Sequence, residues 1–203
     1  MDNYETGAIL SFGGYDCRVL DNQPDRLLIT ERIIEQRSYH DTYSTINWAA
    51  SALRGYLNGE FYDRFSDSAK AKILPVINKN PDNQWYGTAG GPDTTDHLFL
   101  LSLEDVACRY FGDSSAKLYH PGKNQRYRFE RKDNNNRRRL AALATKKEWC
   151  WWWLRSPGRV SLKAAFIHGI DGNIGIQGNN ILKRNIADGK CTGGVRPALW
   201  LKL

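Results

Sequence analysis

Apolar and polar positions along the chain change period twice, and the changes outline its elements. Ala8–Phe12 is short and apolar, Gly13-Gly14 is a turn signal, and Tyr15–Leu20 continues as a strand. The cluster Asp21-Asn22-Gln23-Pro24-Asp25 then turns the chain into the Leu- and Ile-rich Arg26–Ile34, which predicts a β-hairpin. From Thr45 the period becomes helical. Trp48, Ala52, Leu53, Tyr56 and Leu57 fall on one helix face, and Gly59 is the expected stop. Ser66 is placed to cap a helix over Asp67–Leu74 that ends at Pro75. Asn78–Asp93 reads as loop, with Trp85 and Tyr86 tucked onto the body. Leu98–Ser102 reads as a short strand. Ser102 then caps a helix from Leu103 to about Phe111, with Glu104 and Asp105 where the helix dipole favours them.

The end of the chain returns to strand patterning. Trp149, Trp151, Trp152 and Trp153 crowd into five residues. Alternation directs Trp151 and Trp153 to one face, and Trp152 with Cys150 to the other. Each large aromatic buries about 150–250 Å², so this strand is expected to anchor the core. Ala164–Ile170, the Asp171-Gly172 turn and Asn173–Gln177 predict a second hairpin. Val195–Leu203 is the expected closing strand. Strands at both ends with helices between them argue α+β, and 203 residues suit a single domain spanning residues 1–203.

Charge is concentrated in one segment. Arg126–Lys147 holds nine basic and two acidic residues, and its surplus of seven equals the net charge of the whole chain. Tyr119–Asn136 lacks a clear period and Arg137–Ala144 suits a helical turn, so residues 119–147 are expected to form an exposed basic loop. Arg126, Tyr127, Arg128 and Phe129 interleave cations with rings, a pattern suited to phosphate contact and base stacking. This gives one functional reading, a nucleic-acid or polyanion site on Arg126, Arg128, Arg131, Arg137, Arg138 and Arg139.

Several motifs in fixed order carry a resemblance. Phe12–Leu20, Leu27–Glu31, Trp48–Asn58, Phe99–Glu104, Trp152–Gly158 (WWLRSPG) and Gly194–Leu201 (GVRPALWL) match the pattern of a bacterial and phage domain family of unknown function. Cys17 stands where that family usually has Trp. The order of Trp strand, small-residue hairpin and terminal Gly-x-Arg strand also resembles the C-type-lectin-like fold. Formylglycine-generating enzymes and the variable proteins of diversity-generating retroelements share that fold. The resemblance implies a scaffold whose N- and C-terminal strands share a sheet, and it implies no activity.

Candidate chemistry is sparse. Cys17, Cys108, Cys150 and Cys191 form no CxxC pair, and His40, His97, His120 and His168 show no ligand spacing, so no metal or cofactor is expected. A Cys150–Cys191 bridge is open on sequence grounds, although a reducing cytoplasm argues against it. Ser156 lacks a nucleophile-elbow pattern. Arg155 and Arg196 are expected to satisfy buried carbonyls or to pair with a carboxylate such as Glu31 or Asp96. The leading expectation is therefore a non-enzymatic module that binds a protein or glycan, either phage-associated or diversified by a retroelement. Its ligand face is expected on the polar loops between Arg155 and Arg196, with Arg159, Ser161, Lys163, His168, Asn173, Gln177, Asn179 and Asn180 as candidates. No run of 18 apolar residues predicts a membrane span. The N-terminus lacks a secretory pattern, which predicts a cytoplasmic or virion-associated protein.

Overall fold

The computed structural model describes residues 4–122, 134–146, 148–182 and 193–202. The opening hairpin forms as expected, with β1 over Ile9–Phe12, β2 over Tyr15–Asp21 and β3 over Arg26–Thr30. The chain then makes β4, Glu35–Gln36.

The expected Trp48 helix is a series of short pieces. A 3-10 turn at Trp48–Ala50 precedes α1, Ala52–Tyr56, whose first turn is capped by the Ser51 hydroxyl. A π-helical turn at Leu57–Phe61 and a 3-10 turn at Tyr62–Arg64 follow. Gly59 therefore does not stop the helix. Leu57 and Phe61 are both buried, and the Asn58 side chain accepts from His97 N (2.8 Å) and donates to Leu98 O (2.8 Å). Tertiary contacts hold the chain helical past the glycine.

Ser66 caps α2 as expected, but the helix covers only Asp67–Lys70. The rest of the predicted helix becomes β5, Ile73–Leu74, because Trp200 and Leu201 offer it a strand partner. β6 (Val76–Asn78) pairs with β7 (Thr94–Asp96) as a separate two-stranded ribbon. Leu98–Ser102 is not a strand. It is joined to the closing strand by one bridge between Phe99 and Ala198, and its side chains are buried. Ser102 caps as expected by accepting from Asp105 N, the Asp105 carboxylate accepts in turn from Ser102 N, and a π-helical turn at Asp105–Arg109 follows. Two short helices complete the middle of the chain, α3 (Ser115–Tyr119) and α4 (Asn134–Arg139).

The Trp strand is β8, Trp152–Pro157, buried along its length. The Trp151 and Trp153 rings meet edge to face at 4.5 Å, so they share a face as predicted. β9 (Lys163–Ile167) and β10 (Ile174–Asn180) form the second hairpin. The closing strand is broken in two. β11 (Gly194–Val195) runs parallel to β8, and β12 (Ala198–Leu201) pairs antiparallel with β3. Proline 197 lacks the N–H that a continuous ladder would need.

Two five-stranded sheets result, ordered β1-β2-β3-β12-β5 and β10-β9-β8-β11-β4. The architecture is α+β with mixed sheets and few helices, and the N-terminal hairpin and C-terminal strand share a sheet. Buried residues from both sheets and the intervening helices form one apolar cluster. Among the described residues no helix is long and apolar enough to cross a membrane.

Candidate functional site: an arginine-lined cleft

The eight hairpin candidates do not converge. Arg159, Ser161, Lys163, Gln177, Asn179 and Asn180 lie at the base of the β9–β10 hairpin, where Arg159 N donates to Gln177 O (2.8 Å) and Lys163 is paired with Asn180. His168 and Asn173 lie at its turn, joined by a His168 N to Asn173 O bond (2.8 Å). The five residues of β9 separate the two groups by about 15 Å at the usual strand rise. Asn173 and Asn179 are buried, and each side-chain carbonyl accepts from the next backbone amide at 3.0 Å. Those two side chains serve the hairpin's own backbone. Arg159 is exposed at the edge of the Tyr86 ring, with its guanidinium 5.8 Å from the ring centre.

The basic segment behaves differently. Arg126, Arg128 and Arg131 lie outside the described residues. Of the three consecutive arginines on α4, Arg137 and Arg138 are exposed and Arg139 is fully buried. Successive helical residues are about 100° apart, so one of three neighbours has to turn inward. Arg139 Nε donates to Val106 O (2.9 Å) and Nη1 to Asn136 Oδ1 (2.9 Å). Arg139 is thus a structural tie and is removed from the expected polyanion surface.

Arg137 and Arg138 open onto a cleft of about 640 Å³, within the range of small-molecule sites. The β2–β3 region contributes Arg18, Glu31 and Arg32, and Arg196 and Trp149 complete its functional lining. Local structure explains each placement. Ile33 N donates to Ala142 O and Ala144 N to Ile33 O, which docks Ala142–Ala144 beside Arg32. An isolated bridge between Ala142 and Trp149 then fixes Trp149 at the rim. Its side chain is 64% exposed. Trp152 Nε1 donates to Arg139 O (3.0 Å), which anchors the end of α4 to the Trp strand.

Arg196 occupies the point where the chain leaves one sheet for the other. It is 1% exposed, and its guanidinium lies 5.2 Å from the centre of the Trp152 ring. Nε donates to Thr30 O (2.8 Å) and Nη2 to Glu31 O (3.3 Å), while Nη1 has no hydrogen-bond partner. The Glu31 carboxylate instead takes two bonds from Arg18, at 2.8 and 2.6 Å. Burial pulls the Arg196 guanidinium down to about 10, against the pull of Glu31 and with the push of Arg18. Among the described residues, five arginines and one glutamate therefore line the cleft, and the glutamate is already engaged.

Arg155 meets the structural expectation with a different carboxylate. Nη1 donates to Asp105 Oδ2 and to Leu100 O, both at 2.8 Å. Asp96, the expected candidate, instead accepts from Trp48, Arg54, Asn78 and Thr94. Arg196 bonds the backbone carbonyl of Glu31, where a carboxylate bond was one expectation.

Sequence reasoning missed Arg32 and Trp149. Arg32 is a single cation beside a strand. Trp149 sits in a cluster expected to anchor the core, but it lies three residues before β8, which begins at Trp152, and is exposed. Cys191 lies outside the described residues, as does any pairing of it with Cys150. Cys17 is buried, and burial, aided by Asp16 and Glu31, pushes its thiol up to about 12.

The chain belongs to the DUF6273 family, a domain of unknown function, which it matches over residues 24–203. No curated protein and no solved structure matches it.

Proposed function

We propose that this DUF6273 member is a non-catalytic binding module whose ligand is a polyanion, held in the cleft between the N-terminal sheet and α4. The carrying observation is the imbalance of charge in that cleft. Arg32, Arg137 and Arg138 are exposed there, and among the described residues the only lining carboxylate is bonded to Arg18. Guanidinium groups present paired donors that match phosphate and carboxylate oxygens. Clustered cations with low-dielectric walls also concentrate anions from solution. The scaffold we assign is C-type-lectin-like. Support comes from the shared sheet of terminal strands and from the β9–β10 hairpin beside the Trp strand.

The test is a salt titration of heparin and single-stranded DNA binding, with Arg32→Ala/Arg137→Ala/Arg138→Ala beside the parent. Binding is expected to fall steeply with salt. The triple variant is expected to bind at least tenfold more weakly, with the logarithmic salt slope reduced by about two. Salt-independent binding, or full affinity in the triple variant, overturns the reading.

A further inference from the structure

The cleft carries two features that charge alone does not explain. One is the exposed indole of Trp149 at its rim, in a chain whose neighbouring Trp151, Trp152 and Trp153 are all buried. The other is Arg196, buried to 1% exposure with one guanidinium nitrogen unbonded. A buried cation lacking its own carboxylate is costly, and an unmade hydrogen bond adds to the cost. Both deficits are relieved by an anionic group arriving from the cleft.

The geometry points to a specific ligand chemistry: we propose that the cleft takes a terminal phosphomonoester joined to a planar base, with the base on Trp149 and the phosphate against Arg196. The proposal rests on the polyanion reading of the same cleft and deepens it. A terminal group is required because Arg196 lies beneath the cleft surface. A phosphodiester inside a strand carries a sugar on each side and is too wide to reach it. A phosphomonoester also brings about 1.5 to 2 negative charges and three acceptor oxygens, where a carboxylate brings one charge. The Arg18–Glu31 pair acts on Arg196 and is itself only partly buried, so it shifts to admit the phosphate. At the rim, the flat face of Trp149 suits a base. Stacking of a base on an aromatic side chain contributes about 1–3 kcal/mol. Arg32, Arg137 and Arg138 then meet the sugar side and any following phosphates.

The same chemistry is carried by a free mononucleotide and by the phosphorylated end of a single strand. The experiment measures binding of the full chain to four probes at fixed moderate salt. They are adenosine monophosphate, a single-stranded DNA tetranucleotide with a terminal phosphate, the same strand ending in hydroxyl, and inorganic phosphate. Two variants, Trp149→Ala and Arg196→Lys, are measured alongside. Trp149 is exposed, so its removal leaves the fold intact.

The expected result is at least tenfold tighter binding of the phosphate-ended strand than of the hydroxyl-ended one. Trp149→Ala is expected to weaken both nucleotide probes at least fivefold and to leave inorganic phosphate unchanged. Arg196→Lys is expected to abolish the preference for the phosphorylated end. Equal affinity for adenosine monophosphate and the phosphorylated strand identifies the mononucleotide as sufficient. A much tighter strand identifies the chain end. Equal affinity for the two strand ends, or no effect of Trp149→Ala, overturns this proposal while salt-sensitive heparin binding leaves the polyanion reading standing. Loss of binding to every anion, heparin included, overturns both.

Discussion

Arg155 and Arg196 stand in the two signature segments, and both are buried, yet their surroundings differ in one respect. Arg155 is bonded to the carboxylate of Asp105 at 2.8 Å and to Leu100 O. Arg196 is bonded only to the carbonyls of Thr30 and Glu31. Each leaves one nitrogen unbonded, Nε in Arg155 and Nη1 in Arg196. The contrast is therefore one of charge. Arg155 forms a closed ion pair that ties β8 to the capped turn at Ser102–Asp105. Arg196 keeps an open charge beside a cleft lined with further arginines. Two buried arginines thus differ in whether a carboxylate answers their charge.

Substitution separates the two corners. The largest effect on stability is expected from Arg155→Met. It leaves the buried Asp105 carboxylate with only the longer 3.7 Å pair to the half-exposed Arg109, and breaking a buried pair typically costs about 3–5 kcal/mol. Chemical denaturation of parent and variant reads it, and a loss under 1 kcal/mol would deny Arg155 its structural role. Arg196→Met is expected to cost less than about 2 kcal/mol, since two hydrogen bonds are lost but a buried uncompensated charge goes with them. Its anion affinity is expected to fall at least tenfold. A stability loss matching that of Arg155→Met would erase the contrast.

A pH series probes the same charge. The Arg196 guanidinium is lowered to about 10 by burial, so it is fully charged at neutral pH and loses its proton as the pH passes about 10. The unfolded chain holds that proton more tightly, so deprotonation adds to folding stability above about 10. Anion binding has the opposite sign and weakens over the same range. The affinity gap between the parent and Arg196→Met is expected to close there. A gap that persists well above pH 10 would mean that Arg196 keeps its proton there, and the absence of a gap at neutral pH would assign the binding to the other arginines.

The smallest expected effect is from Glu31→Gln. It releases Arg18 from a partly exposed ion pair worth at most about 1 kcal/mol. Removing this lining carboxylate is expected to raise anion affinity a few-fold. A fall in affinity would mean that Glu31 orients Arg18 for the ligand.

Local signals in the sequence identify much of the fold and less of the cleft. The β9–β10 hairpin is legible because Asp171-Gly172 demands a turn, and Gly172 has φ +66°. Its close fit is not legible: a Cβ there would lie 1.9 Å from Asn136 O on α4. The Ser102–Asp105 cap follows from residue type and spacing. The extended path of Leu98–Leu101 and the conversion of Ile73–Leu74 to strand depend on β12, which lies 99 residues beyond Phe99 at their bridge and further still from Ile73. For the cleft, the charge surplus marks the segment that supplies Arg137 and Arg138 to its lining. Its inward-facing member, Arg139, and its distant partners Arg32 and Arg196 are set by packing between elements that no local pattern connects.

The break at Arg196-Pro197 has a consequence for how the protein is made. β11 lies between β8 and β4, and β12 between β3 and β5, so Gly194–Leu201 completes both sheets. A nascent chain reaches this segment last among the residues described. Until it clears the ribosome, β3 lacks its inner neighbour and the Trp strand lacks β11. Earlier segments can form their hairpins during translation, but the joined sheets can only assemble afterwards. Apolar surface on both sheets therefore stays open until Gly194–Leu201 has emerged, and premature termination before Gly194 would leave both halves of the fold open.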